Sequence, residues 1–140
     1  MKKSSIVWPC ELPDQIKQQL LDRAQTYSLK PDDHLLSGKD ANNGLFYAMS
    51  GLVILSIIDM DKSAPWVIFK PGDWWGGSLF DTPGFRFQVK VSCIDHAELL
   101  CISEPVLRDM AVKHLEIYKL LYMVTRTRAN EMTEIGRAHV

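Results

Sequence analysis

The residues in this chain able to do chemistry are few and scattered. His34, His96, His114 and His139 stand singly, with no second histidine or glutamate at the close strand spacing a metal site needs. Cys10, Cys93 and Cys101 are an odd set without a CxxC pair, which argues against a disulfide framework and a cysteine-rich zinc site and for reduced thiols. No Ser/His/Asp or Cys/His grouping supports a nucleophilic site. What remains is Lys70-Pro-Gly-Asp-Trp-Trp-Gly76, a turn that ends one strand and opens a glycine-walled pocket. The chemistry this implies is binding, and catalysis is not expected.

The elements that must position this pocket are legible from apolar runs and turn residues. Leu45–Met49, Leu52–Ile58, Trp66–Phe69, Phe85–Val91 and Ala97–Ile102 are short strand-like runs. Gly51, Pro71-Gly72, Gly76-Gly77 and Pro83-Gly84 separate them, and Ser92 to Asp95 supplies a further turn. Strands so spaced predict a roll, sandwich or barrel with Phe46, Ile54, Phe69 and Leu100 inside. Ahead of them, Ile16, Leu20 and Ala24 recur every four residues and predict an amphipathic helix over 13–26, with Pro13 in its first turn. Leu29 to Gly38 reads as short extended pieces and turns.

After Ser103-Glu-Pro105 the period changes. Ser103 suits an N-cap and Pro105 a first turn. Apolar residues at three- and four-residue steps then predict one helix over 106–130. Val106, Leu107, Met110 and Ala111 are expected to dock on the chain's own roll. His114, Ile117, Leu121 and Val124 make a narrower seam without an evident intrachain partner, which predicts a parallel homodimer. Arg126 and Arg128 would flank it.

Composition limits the partners. The 140 residues make 16.0 kDa, enough for one compact domain, and the net charge of −1 with a pI near 6.4 is no footprint for nucleic acid. Lys2 and Lys3 precede no apolar signal core, and no stretch nears the roughly 20 apolar residues of a membrane span. A soluble, cytoplasmic protein is expected.

The order helix, β-roll with a glycine-walled loop, then long helix resembles the cyclic-nucleotide-binding effector domain of the CRP/FNR family of bacterial transcription regulators. Leu45-Phe-Tyr-Ala-Met-Ser-Gly51 and Pro71-Gly-Asp-Trp-Trp-Gly76 carry the resemblance, supported by Arg86 and Ala97-Glu-Leu-Leu-Cys-Ile102, over roughly residues 12–130. It implies a mainly β fold with flanking helices: an antiparallel β-roll over 1–105, then a dimerisation helix over 106–133. It also implies that Gly76, Gly77, Ser78, Leu79, Arg86, Phe87 and Gln88 form the phosphate-binding cassette. There a glutamate would hold the ribose, while backbone amides and an arginine would hold the cyclic phosphate.

The chain departs from that pattern. Gly77 stands where the glutamate belongs, and Phe87 and Gln88 replace small residues after the arginine. Losing a charged acceptor costs roughly 1.5–3 kcal/mol, so the cassette is read as degenerate and cyclic AMP as binding worse than millimolar. No resident cofactor is expected. An iron–sulfur cluster needs about four thiolates, and Cys10 is alone near the N-terminus. A ligand-free structural roll is the rival reading, and a metal-dependent cupin enzyme is disfavoured by the scattered histidines. Glu134-Ile-Gly-Arg-Ala-His-Val140 reads as translated adapter sequence, a tail not native to the protein. The expectation is therefore a sensor fragment of a regulator, with an unknown small-molecule effector and DNA contacted only through a C-terminal domain that is missing.

Overall fold

The computed structural model describes residues 5–36, 44–77 and 88–138, excluding the side chains of Leu36, Asp59, Gln88 and residues 128–138. Helix α1 (Asp14–Asp22) is followed by strands β1 (Gln25–Leu29), β2 (Leu35–Leu36), β3 (Leu45–Ser50), β4 (Val53–Asp59) and β5 (Lys62–Phe69). Then come β6 (Trp74–Gly76), β7 (Gln88–Cys93), β8 (Ala97–Ile102) and the helices α2 (Glu104–Lys113) and α3 (Glu116–Ala138). The strands form two four-stranded sheets, β1-β8-β3-β6 and β2-β7-β4-β5, and every pairing is antiparallel. This is the mainly β roll with flanking helices that the sequence predicts.

The first sheet separates two apolar layers, and the period of two explains its sequence. Leu45, Tyr47 and Met49 of β3, with Leu100 and Ile102 of β8, pack with the helices. Phe46 and Ala48, with Leu99 and Cys101, face the other way, into the space between the sheets. A strand buried on both faces reads as an unbroken apolar run, and Leu45-Phe-Tyr-Ala-Met is one. The second sheet has a single covered face. There Val53 and Phe69 are buried, whereas Ile54 is only half-buried opposite an exposed Ile68. Of the four residues expected inside, Phe46, Phe69 and Leu100 are buried and Ile54 is not, because it alternates outward next to Val53.

Two helix boundaries differ from the sequence reading. Helix α1 starts after Pro13, which is its N-cap, and stops at Asp22. Gln25–Leu29 instead pairs with β8 as a strand, so edge hydrogen bonds override the local helical period. The helix expected over 106–130 is two helices. His114 leaves the helical region (φ −137°, ψ 112°) as its N–H closes α2 on the Met110 carbonyl at 2.8 Å, and α3 begins at Glu116. Ser103 is the N-cap of α2 with Pro105 in the first turn, as expected, but its hydroxyl makes no capping bond.

Helices α1 and α2 are tied by Arg23, whose Nη1 donates to Asp109 Oδ2 at 2.6 Å, with Lys113 Nζ at 3.8 Å from the same oxygen. The Arg23 hydrogen bond, reinforced by the Lys113 charge, holds the Asp109 carboxyl below its ordinary value. A lowered carboxylate pKa contributes stability above the unfolded pKa, about 3.9, and loses it as pH falls through the folded value. Asp109→Asn should therefore lower the melting temperature slightly near neutrality, and parent and variant should converge as the pH falls through the lowered folded-state value. Melting curves across that range check this. A gap that persists in acid would mean the tie is not ionic.

Candidate functional site

The turn before the pocket is fixed by its residue types. Pro71 presets φ at the second position and Gly72 takes φ +99° at the third, while Asp73 N–H reaches Lys70 O at 3.0 Å, which together make a type II turn. Asp73 Oδ2 also accepts from Lys70 N–H at 2.9 Å, and Gly72 N–H donates to Ala48 O at 2.9 Å, pinning the turn to β3.

Strand β6 leaves this turn, and its two tryptophans point to opposite layers, as adjacent strand residues must. Trp74 packs in the helix-side layer, 4.7 Å from Tyr47 and 5.1 Å from Trp8 between ring centroids. Its Nε1–H donates to Val7 O at 2.7 Å, and Val7 N–H donates to the Tyr47 hydroxyl at 3.1 Å. Trp75 packs inside the roll, stacked on Phe69 at 4.3 Å and 4° and on Phe46 at 5.5 Å and 10°. Both tryptophans are core residues, each 5% exposed. Trp75 Nε1 is buried and has no hydrogen-bond partner among the described residues. This orphan donor is not foreseen from the sequence, although two neighbouring tryptophans on one strand signal that one of them faces the roll interior.

Of the sequence-predicted cassette, the structure places Gly76 and Gly77 at the end of β6. Ser78, Leu79, Arg86 and Phe87 lie outside the described residues, and Gln88 is described only as the backbone that opens β7 opposite Ile58. Gly77 is buried in the left-handed region at φ +80°, and its N–H donates to Gly44 O at 3.0 Å. A Cβ there would sit 2.6 Å from Leu121 Cδ2 and 3.3 Å from Leu45 Cδ1. The position is thus a close approach of β6 to α3, and no side chain fits without strain.

The predicted seam is corrected by burial. Ile117 and Val124 are 0% and 1% exposed and Leu121 is 8%, all within the chain's own helix-side core, and His114 is the half-buried cap of α2. These residues have the intrachain partner the sequence reading denied them, because α3 lies against β6. Among the described residues, the apolar side chains that this segment exposes are Leu115, Tyr118 and Tyr122, spaced three and four apart, with Val112 before them. Arg126 is exposed, and the side chain of Arg128 lies outside the described residues.

Other chemistry is sparse. The thiols of Cys10, Cys93 and Cys101 are free, and burial pushes Cys101 up to about 11, leaving it protonated at neutral pH. Among the described residues no three His, Cys, Asp or Glu side chains are grouped to hold a metal ion. No described helix is long and apolar enough to cross a membrane. A cleft of about 170 Å³ between the N-terminal segment and α3 is lined by Val7, Trp8, Asp73, Trp74, Val124 and Thr127. It is smaller than the roughly 300 Å³ at which small-molecule sites begin.

Solved structures match this fold closely. A protein of Ruegeria pomeroyi described as cyclic nucleotide binding superposes with a TM-score of 0.65 at 21% identity, over 88% of this chain and 54% of its own. A regulator from Eubacterium rectale assigned to the CRP/FNR family gives 0.71 at 15% identity, over 90% and 59%. The N-terminal domain of a transcriptional regulator from Streptomyces coelicolor gives 0.63 at 22%, over 88% of both chains. The fold is that of the effector domain of such regulators, and the chain spans just over half the length of the first two. No protein-family model and no curated protein sequence matches the chain.

Proposed function

We propose that this chain is the effector-sensing and self-associating part of a cytoplasmic CRP/FNR-type transcription regulator, binding a small molecule in the roll and DNA only through a separate domain. The observation that carries the reading is the construction of β6. Three consecutive residues join the roll interior to the regulatory helix: Trp75 stacks among the interior rings, Gly76 turns the chain at φ +88°, and Gly77 abuts Leu121 of α3. A ligand that displaces the ring column moves the strand against which α3 rests. That is a differential contact able to bias two packings of the helix. The Gly76–Gln88 segment remains the proposed effector cassette, without the ribose acceptor that cyclic AMP requires.

Self-association is assigned to the exposed face of α3, in place of the buried seam. Tyr118 and Tyr122 are 44% and 61% exposed and Leu115 is 80%, a stripe that a second copy of the same helix covers symmetrically. Sedimentation equilibrium of the parent should show a concentration-dependent monomer–dimer mixture. Tyr122→Asp should shift it to monomer, weakening association at least about tenfold, with the melting temperature unchanged. A variant that dimerises as well as the parent would place the interface elsewhere and remove the helix pair from the proposal.

A further inference from the structure

We infer that the roll holds a compact, mainly apolar effector presenting one uncharged hydrogen-bond acceptor, such as a ketone, ester or amide carbonyl, to the Trp75 indole N–H. The inference rests on the sensor reading above and gives its ligand a chemical class. Trp75 is 5% exposed, yet its Nε1–H has no partner among the described residues. Buried donors are almost always paired, so an orphan calls for a cause. The neighbouring Trp74 shows the ordinary outcome, its Nε1–H meeting Val7 O at 2.7 Å.

The indole cannot turn to find an acceptor. Phe69 stacks on it at 4.3 Å and 4°, and Phe46 at 5.5 Å and 10°, so reorienting the ring would break both contacts. The donor is therefore held in advance of any ligand, which reduces the ordering cost of binding.

The surroundings decide the class. Among the described residues, the interior layer that contains Trp75 also holds Val53, Phe69, Val91, Leu99 and Cys101, all of them apolar. A phosphate or carboxylate seated against these described residues would lose hydration with one neutral donor, the Trp75 N–H, in return. A hydrocarbon would leave the N–H as it is. An apolar body with a single neutral acceptor satisfies both the donor and the wall. The absence of a carboxylate at Gly77 agrees, since such a ligand has no ribose hydroxyls to hold.

Acetophenone and ethylbenzene differ chiefly in the carbonyl and serve as matched probes on the ¹⁵N-labelled chain. Titration with acetophenone should move the Trp75 indole N–H resonance downfield, that resonance being assigned by its loss in Trp75→Phe, and ethylbenzene should not. Trp75→Phe should weaken acetophenone about five- to tenfold, as expected for one neutral hydrogen bond. A resonance that ignores acetophenone, or one that follows both probes alike, overturns the inference. A thermal-shift panel adding cyclic AMP and cyclic GMP separates the two levels. If a nucleotide stabilises parent and Trp75→Phe equally, the sensor reading stands and the carbonyl class falls. If no compound stabilises the parent and no resonance moves, both fall.

Discussion

Gly77→Glu, which supplies the carboxylate that the cyclic-nucleotide cassette pattern calls for, should destabilise the protein by about 2–4 kcal/mol and create no cyclic AMP site. Two costs add. The backbone at Gly77 lies at φ +80°, where a residue with a Cβ costs roughly 1–2 kcal/mol. The new Cβ also meets Leu121 Cδ2 at 2.6 Å and Leu45 Cδ1 at 3.3 Å, pressing a carboxylate into apolar neighbours. Gly77→Ala isolates the backbone cost with a small side-chain term. Calorimetric titration of parent and Gly77→Glu with cyclic AMP should give dissociation constants weaker than about 1 mM in both. Micromolar affinity in either, or a fully stable Gly77→Glu, would show that the position is a cassette site lacking only its charge.

The same glycine shows how far the sequence could be read. Gly77 stood out as a missing glutamate, a statement about chemistry, but the Leu121 contact that occupies its space joins residues distant in the chain. Strands buried on both faces were legible because their apolar runs are unbroken, as in Leu45-Phe-Tyr-Ala-Met. Gln25–Leu29 was not, since Ala24 continues the period of α1 and only pairing with β8 makes the following segment a strand. Trp74-Trp75 reads as core packing from its residue types, and both rings are buried; that these residues form a strand linking the two apolar layers comes from pairing with β3. Helix α3 was the instructive case. Ile117, Leu121 and Val124 lie on its buried face as their spacing predicts, but periodicity gives a face and not the identity of what covers it. The covering element is β6 of the same chain, leaving the tyrosine face outward.

That assignment makes Leu121→Asp a stability variant, where the sequence alone made it an interface variant. Leu121 is 8% exposed in the layer shared with Leu120, Ile117 and Val124, and its Cδ2 lies against Gly77. Removing a buried leucine costs about 2–5 kcal/mol, and an unpaired carboxylate in its place adds more until it protonates. The sum is comparable with the whole stability of a domain this size, typically about 5–15 kcal/mol. Leu121→Asp should therefore be largely unfolded or melt far below the parent, with its urea midpoint reduced accordingly. Tyr122→Asp, one residue on and 61% exposed, should unfold within about 0.5 kcal/mol of the parent. Urea titration of both variants at low protein concentration, where the parent is monomeric, separates folding from association. If Leu121→Asp unfolds with the parent's midpoint, α3 does not rest on the roll in solution, and the β6 linkage loses its contact.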